Sequence, residues 1–441
     1  MNALQYKDLL INFTSEFIPL WNDRGSGVYK SISFWRPATS ADPLSQFFPL
    51  GDIAVEGYRN INQQKVVAVV SDANKVDGTA LRSPDEFELV WKDAGSGART
   101  DFSLWRPLPP EGYVSMGLVC GVGYDKPSRN AVRCVREDLV MAARTGQLIW
   151  TDKGSGAPMD FSAWGITPAD AAPGEINLAP GTFIGTASYA KPITASYSLR
   201  LPLSADLKAL PKPPPLSGYA PPEALHTLEQ PQFCQLPWFT VKDPDLSPVE
   251  QLQTCPMYRL ERIDHYLFVG FGHNQTATSQ PFMWTATKGE TGKQSRALTA
   301  TTSIELCSEW PSDSRAFELS FSAHLGQEFT HCQRSAKGWA DLSALEIITY
   351  IPAHKAVAAY VIQSEYRLLR GDGSQVTGTV TYTNGDNVYV SEYPASEPVH
   401  RDEPPVEAPV EQPVEPPAEP DQAEPDLEIT PHDGIDDTLL P

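Results

Sequence analysis

The sequence predicts an all-β protein with a repeat domain, a second β-rich domain and a disordered tail. A tryptophan- and glycine-containing motif occurs three times in the first part of the chain, and apolar and polar residues alternate in the second. The C-terminal segment is rich in proline and acidic residues and contains no aromatic residue. We predict the repeat domain at residues 1–201, a proline-rich linker at 202–222, the second domain at 223–397 and the tail at 398–441.

Three kinds of residue recur at matching positions in the repeat domain. The motif Trp-x-Asp-x-Gly-Ser-Gly occurs three times, a second Trp follows each first Trp after fourteen residues, and a Tyr follows seven residues after Gly51, Gly117 and Thr182. In copy order the residues are Trp21, Trp91 and Trp150; Asp23, Asp93 and Asp152; Trp35, Trp105 and Trp164; and Tyr58, Tyr124 and Tyr189. Such repetition indicates one structural unit used three times.

Each copy is predicted to be β-structure that turns at its motif. Apolar residues (Leu20, Val90 and Ile149) precede the first Trp, and helical periodicity is absent. The motif favours a turn, because the Asp side chain accepts a hydrogen bond from a backbone N–H further along the motif and glycine adopts positive φ. A sheet this small cannot bury its own face. We therefore expect three sheets to stack their Trp residues around a common axis, as a three-fold β-prism.

The repeated Asp and Trp residues allow two interpretations. In one, Asp caps a turn and Trp fills the core, and repetition alone favours this interpretation because it implies only shared architecture. In the other, the carboxylates ligate Ca²⁺ with backbone carbonyls, and exposed Trp residues stack on sugar. The candidate ligand- or Ca²⁺-binding residues are Asp23, Asp93, Asp152, Asp101 and Asp160, with Ser31 in copy one at the position of the last two.

The second domain contains an alternating pattern long enough to cross a bilayer. Residues 298–306 and 317–325 place apolar side chains on one face and mostly Ser and Thr on the other. Each stretch has about 10 residues, the length of a tilted transmembrane β-strand. We predict a hairpin over 298–326, with Trp310 at its turn and at a membrane interface. The membrane-hairpin candidates are Leu298, Ile304, Leu306, Trp310, Phe317, Leu319, Phe321 and Leu325.

This hairpin has two possible roles. It cannot insert alone, because its edge hydrogen bonds would be unsatisfied in hydrocarbon, so insertion requires a homo-oligomer on the membrane. The alternative is an ordinary hairpin that packs its apolar face on a sandwich core, which alternation by itself favours. Both interpretations predict the same hairpin.

Several stretches resemble a known family. The stretches are Trp35-Arg36-Pro37, Trp105-Arg106-Pro107 and residues 112–117 and 134–140. They are similar to the family related to vacuolar protein sorting-associated protein 62, whose repeats also form the β-prism of some bacterial perforin-like toxins. Copy three departs from the pattern, with Gly165-Ile166 in place of Arg-Pro. In the second domain, residues 255–258 and 366–374 resemble parts of bacterial insecticidal proteins.

The resemblance implies a pore-forming, insecticidal-type toxin component. The lectin-like β-prism would bind a glycan or lipid on a cell surface, and an elongated, aerolysin-like second domain would oligomerise and insert the hairpin 298–326. A second toxin component is a further partner that this hypothesis leaves open. The alternative is a non-lytic carbohydrate- or lipid-binding or adaptor protein.

The negative charge is concentrated in the predicted tail. The chain has a formal net charge of −21, and residues 398–441 contain 13 acidic residues and one basic residue, Arg401. A segment of this composition cannot bury enough apolar surface to fold, so we expect a disordered solubility or masking segment. The sequence has no basic patch, which argues against nucleic acid as a partner.

Other sequence signals bear on chemistry and location. The chain has no Walker, Gly-x-Ser-x-Gly or His-Glu-x-x-His motif and no Cys-x-x-Cys pair, so we expect neither an enzyme nor a cofactor beyond the Ca²⁺ considered above. No secretory signal peptide is visible in residues 1–21. We expect synthesis in a bacterial cytoplasm, release by an unrecognised route and action on a target-cell membrane.

Overall fold

The computed structural model of the chain describes residues 3–73, 80–210, 212–222, 225–228, 230–291, 310–316, 319–326, 329 and 343–395. Residues Met1–Ala395 form one compact unit. The predicted tail at 398–441 lies outside the described residues. Within the described ranges the chain is mainly β and its strands pair in antiparallel sheets, which confirms the predicted class.

The three copies build sheets of the same order. The strands of copy one are β1 (Leu4–Tyr6), β2 (Leu9–Thr14), β3 (Phe17–Asn22), β4 (Ile32–Pro37), β5 (Phe48–Pro49), β6 (Ile53–Glu56) and β7 (Val67–Asp72). Those of copy two are β8 (Leu81–Arg82), β9 (Glu86–Lys92), β10 (Phe102–Leu108), β11 (Tyr113–Val114), β12 (Val119–Val122) and β13 (Cys134–Arg136). Those of copy three are β14 (Val140–Thr151), β15 (Ser162–Pro168), β16 (Glu175–Leu178), β17 (Ile184–Thr186) and β18 (Ser196–Pro202). The equivalent sheets are β3-β4-β6, β9-β10-β12 and β14-β15-β17.

Most of the remaining strands form a second large sheet, which contains the longest strands of the described chain. They are β19 (Ala205–Asp206), β20 (Leu225–Thr227), β21 (Gln232–Pro237), β22 (Met257–His273), β23 (Gln280–Thr291), β24 (Trp310–Ala316), β25 (Leu319–His324), β26 (Ser343–Ile351), β27 (Ala356–Leu369) and β28 (Val380–Tyr393). The sheet order is β19-β21-β22-β27-β28-β23-β26. Strands β25 and β24 instead extend the sheet of copy three, whose order is β17-β15-β14-β18-β16-β25-β24.

Short helices connect some of these strands. One α-helix, α1 (Pro248–Thr254), and two 3₁₀ turns (Glu137–Leu139 and Trp238–Thr240) occur in the described part of the chain. Helix α1 begins at a capping box, in which Ser247 and Glu250 satisfy each other's backbone N–H groups, and Pro248 occupies its first turn. In the described ranges, none of the helices has the length and apolar character needed to cross a bilayer.

A large apolar core joins residues from both predicted domains. Phe13 of β2 meets Trp238 edge-on, with ring centroids 5.3 Å apart, and Phe239 meets Phe321 of β25 at 5.8 Å. The same cluster of buried side chains includes Leu199 of copy three. The predicted linker at 202–222 contains strand β19, which pairs with β21.

Candidate functional site

Hydrogen bonds from the first Trp of each copy connect the three copies in a ring. Each indole Nε1 donates to a backbone carbonyl of the next copy, nine residues after that copy's own first Trp. The pairs are Trp21 with Thr100 at 2.7 Å, Trp91 with Met159 at 2.9 Å and Trp150 with Lys30 at 2.7 Å. Because copy three returns to copy one, the arrangement is cyclic.

The same indoles form an aromatic core inside the ring. Trp21 stacks on Phe102 with ring centroids 4.6 Å apart, and Trp91 meets Trp150 edge-on at 6.0 Å. All three first Trp residues are buried, as are Trp35 and the equivalent Trp of copy two. They fill the core, so their faces are not available to stack on sugar.

The motif turns also touch each other, which explains their glycines. Gly25 has a φ of 99°, and a Cβ on it would lie 2.8 Å from the carbonyl oxygen of Gly97 in the next copy. At a second point of approach, a Cβ on Gly117 would lie 2.6 Å from Cβ of Thr182. Glycine is therefore required both for conformation and for the close approach of the copies.

The motif Asp residues are buried, and their carboxylate oxygens accept hydrogen bonds from groups of the same copy. Asp93 Oδ1 accepts a hydrogen bond from the backbone N–H of Phe102 at 2.7 Å, and Asp152 Oδ1 accepts the equivalent bond from Phe161 at 2.8 Å. Asp23 Oδ1 instead accepts from the hydroxyl of Tyr58. Burial is the largest influence on all three carboxyls and raises their pKa.

The repeat Tyr residues lie at the outer side of these turns. Tyr58 is 38% exposed and has the guanidinium of Arg24 over its ring, 4.5 Å from the centroid. Tyr124 is 40% exposed and donates to Asp101 at 3.1 Å. Desolvation and the neighbouring carboxylates raise the pKa of both phenols to about 12. The repeat spacing in the sequence identifies these Tyr residues. The structure shows that their hydroxyl groups donate hydrogen bonds, in copy one to the motif residue Asp23 and in copy two to Asp101.

The Ca²⁺ candidates divide into two groups in the structure. Asp23, Asp93 and Asp152 are the buried turn residues, and Asp101 lies beside Tyr124. In the third copy, burial together with the carboxylates of Asp152 and Asp160 raises the pKa of Tyr189. No group of three or more His, Cys, Asp or Glu side chains that could hold a metal is found among the described residues.

The predicted hairpin is described only in part. Leu298, Ile304, Leu306 and Phe317 lie outside the described residues. Strand β24 begins at Trp310 and pairs with β25, and their register brings Ala316 opposite Leu319. The segment expected to turn is thus a strand, because alternation identifies a strand without fixing where it turns.

The inward face of β25 is packed in the large core. Leu319 and Phe321 of β25, and Leu325 directly after the strand, are at most 4% exposed. Strand β25 pairs with β16 over four residues, and Ser322 Oγ accepts a hydrogen bond from the N–H of Ala171 at 2.9 Å. Among the described strands, β24 is one of the two terminal strands of this sheet. The hairpin is therefore an addition at the edge of the sheet of copy three.

A two-stranded ribbon of β23 and β26 was missed by the sequence analysis. Trp284 covers Gly270 of β22 so closely that a Cβ there would lie 2.1 Å from the indole. On the outer face Met283, Ile348 and Tyr350 are 65%, 58% and 69% exposed. The alternation of Phe282, Trp284 and Ala286 was the available signal for this ribbon.

Clefts of about 380 Å³ lie at two of the junctions between copies. The cleft between copies two and three is lined in part by Arg106 and Gly185. The cleft between copies three and one is lined in part by Gly165, Ala54 and Ser320 of β25. The second of these clefts thus includes a residue of the hairpin strand β25 in its wall.

Comparison with known proteins identifies a family and distant solved structures. The family described as vacuolar protein sorting-associated protein 62 matches residues 4–240. A comparison with curated proteins finds no match.

The two solved structures resemble this chain only distantly. The match to the crystal structure of GNIP1Aa from Chromobacterium piscinae has 27% sequence identity and a TM-score of 0.36, and it covers 42% of this chain and 34% of GNIP1Aa. The match to the crystal structure of Cry35Ab1 has 11% sequence identity and a TM-score of 0.32, and it covers 89% of this chain and 91% of Cry35Ab1. This chain therefore spans about a third of the length of GNIP1Aa.

Proposed function

The chain belongs to the family of vacuolar protein sorting-associated protein 62, and we propose that it is a pore-forming, insecticidal-type toxin component. The repeat ring is a three-fold β-prism that binds a ligand on a cell surface. The second region oligomerises on the membrane and inserts the hairpin segment 298–326, of which β24 and β25 are the described strands.

The cyclic hydrogen bonds support the prism assignment. The three donors, Trp21, Trp91 and Trp150, occupy the same position in each copy and reach the same position in the next copy. A closed ring of this kind holds the three sheets at fixed angles, so its outer turns form a rigid surface. Rigid scaffolds with exposed loops are well suited to binding.

The edge position of the β24–β25 hairpin is the observation that carries the pore proposal. The hairpin joins the repeat region through the four residue pairs between β25 and β16. The chain enters it after β23 and leaves it before β26, two strands that pair with each other. Peeling β25 from β16 would release the hairpin while this ribbon stays paired.

Release in water is opposed by the buried face of β25. Exposing an apolar side chain such as Leu319 or Phe321 costs about 1.5–3 kcal/mol each. Transfer of the same side chains to hydrocarbon recovers this free energy, provided that neighbouring protomers satisfy the edge hydrogen bonds. The hairpin is thus expected to stay docked in solution and to move only on a membrane.

The protomer contact that we propose is the ribbon of β23 and β26. In the sheet as described, β26 is the terminal strand. It presents Ile348 and Tyr350 to solvent. An open strand edge with exposed apolar side chains is suited to pairing with a second copy of the chain.

One observation favours the alternative of a non-lytic binding module. The inward residues Leu319, Phe321 and Ala323 of β25 are as deeply buried as the rest of the core. In that alternative the hairpin is a permanent part of the fold, and its amides stay protected from hydrogen exchange on membranes.

Dye release from vesicles tests the proposal. The full chain, with and without protease trimming of the tail, is added to phosphatidylcholine vesicles that contain or lack glycosphingolipids. The pore proposal predicts oligomers on the vesicles and release of dye. Binding without oligomers or release, together with slow exchange in 319–324, would establish the non-lytic alternative.

A further inference from the structure

The cleft between copies three and one differs from the other junctions by one missing side chain. The residue after the second Trp is Arg36 in copy one, Arg106 in copy two and Gly165 in copy three. Arg36 donates to the carbonyl of Cys120 in copy two at 2.9 Å. Arg106 reaches the carbonyl of Gly185 in copy three at 3.4 Å. Each arginine thus places a polar side chain across its own junction.

Gly165 leaves the third junction without such a side chain. Cys120 and Gly185 each lie three residues after Gly117 and Thr182, and the equivalent residue of copy one is Ala54, three residues after Gly51. Ala54 and Gly165 both line the cleft of about 380 Å³. The space that an arginine would cross is therefore open to a ligand.

The lining of this cleft has the chemistry of a site for a small neutral polyol. Copy one contributes Glu56 and Lys65, which carry opposite charges, copy three contributes the neutral Gln147 and Thr167, and β25 contributes Ser320. Apolar side chains of Ile53, Val67 and Ile166 also form part of its wall. A sugar ring has hydroxyl groups at its edge and C–H groups on its face. The polar residues of the cleft can therefore hydrogen-bond the hydroxyl groups, and the apolar residues can pack against the C–H face. The volume lies within the range of about 300–1,000 Å³ usual for small-molecule sites.

The cleft also touches the hairpin. Ser320 belongs to β25, and its carbonyl accepts a hydrogen bond from the N–H of Ala179 at 2.8 Å. Ala179 lies in the same wall. A ligand in the cleft would contact the strand that docks the hairpin on the repeat region.

We propose that the cleft between copies three and one binds one pyranose unit of a cell-surface glycan, with strand β25 forming part of the wall. This assignment rests on the proposed function, which supplies the glycan as the surface ligand. It adds the site at which the glycan binds and the class of sugar unit that is bound. A glycan bound here makes direct contact with the element that the pore proposal releases.

Substitution of Gly165 provides the sharpest test. A Cβ on Gly165 would lie 3.7 Å from the carbonyl oxygen of Gln147, an ordinary contact, so Gly165→Arg has room at its base. Its guanidinium would then cross the junction toward Ala54, as Arg36 and Arg106 cross theirs. We expect the full-length variant to fold and its new arginine side chain to occupy the part of the cleft next to Ala54.

Binding is measured by saturation-transfer NMR and titration with the methyl glycosides of glucose, galactose, mannose, N-acetylglucosamine and N-acetylgalactosamine. At least one should bind the full chain, Gly165→Arg should abolish the signal, and Gln147→Ala should weaken binding by about tenfold, the loss of roughly one good polar contact. Glu111→Ala, an exposed change outside this cleft, should bind as the unmodified chain does. The Gln147 variant keeps the test decisive if Gly165→Arg does not fold.

The outcomes separate this inference from the pore proposal. Absence of binding by all five glycosides, or binding unchanged in Gly165→Arg and Gln147→Ala, would overturn the cleft assignment. Glycoside binding that is lost in Gly165→Arg supports the site even if no vesicle releases dye. Dye release by a chain that binds none of the sugars would leave the pore proposal standing and reject the cleft.

Discussion

Arg36 holds Asp52 through two hydrogen bonds, from Nε to Oδ1 at 2.8 Å and from Nη2 to Oδ2 at 2.7 Å. The carboxylate of Asp52 is fully buried and also accepts the N–H of Cys120 at 2.7 Å. The pair therefore fastens copy one to copy two in the interior of the ring. The equivalent of Asp52 is Leu118 in copy two and Phe183 in copy three, so this ion pair is particular to one junction.

Removing one partner of this pair should strongly destabilise the chain. Asp52→Ala leaves the Arg36 guanidinium without its carboxylate, and breaking a buried pair in this way costs about 3–5 kcal/mol. Urea unfolding measures the change in the free energy of unfolding. The exposed pair of Lys7 and Asp138 is the control, because Lys7→Ala should cost at most about 1 kcal/mol. Equal losses at both pairs would contradict the role assigned to Asp52.

The contact between motif turns predicts a difference between two glycines. In Gly25→Ala the new Cβ is strained by a φ of 99° and also clashes with the carbonyl of Gly97. In Gly57→Ala the new Cβ is strained by a φ of 88° but points into open space. We expect Gly57→Ala to cost about 1 kcal/mol from backbone strain. Gly25→Ala should cost clearly more, as measured by thermal unfolding. Equal costs would show that the turns do not touch as described.

The buried motif Asp residues predict a pH dependence of stability. A pKa raised above the unfolded value means that the folded state binds the proton more tightly, so stability falls as pH rises from about 3.8 through the raised value. Asp23 Oδ2 is buried and has no hydrogen-bond partner among the described residues, which adds to the cost of its charge. Asp23→Asn should therefore reduce this decline, as measured by denaturation at several pH values. A slope equal to that of the unmodified chain would refute this assignment.

The repeats could be predicted from the sequence because their signals are local. Trp21, Asp23 and the glycines of the motif lie within a few residues of each other, and their threefold recurrence indicated a ring. The pairing of β16 with β25 could not be predicted, since it joins residues about 150 positions apart and no local pattern encodes a partner. The local backbone hydrogen bonds of the turn Asp residues were expected from the turn chemistry, but their burial was not. The contrast between Arg36 and Gly165 has a consequence only at the junctions, which join residues distant in sequence.

The ribbon of β23 and β26 predicts a site for assembly. Ile348 is 58% exposed on its outer face, so Ile348→Glu should leave monomer stability nearly unchanged. A carboxylate in an apolar protomer contact should reduce oligomers on vesicles and dye release. Val122→Glu is a matched control, because Val122 is a strand residue 69% exposed in the repeat region. If both variants assemble normally, the ribbon is not the protomer contact.

A reversible cross-link between β16 and β25 tests the central proposal most directly. Asn177 and Ser322 are register partners, so Asn177→Cys with Ser322→Cys can form a disulfide that locks the hairpin on the repeat region. The account predicts that the oxidised double variant binds vesicles without releasing dye and that reduction restores release, while each single variant behaves alike with and without reductant. Full dye release by the oxidised protein, with the cross-link verified by mass spectrometry, would contradict the account.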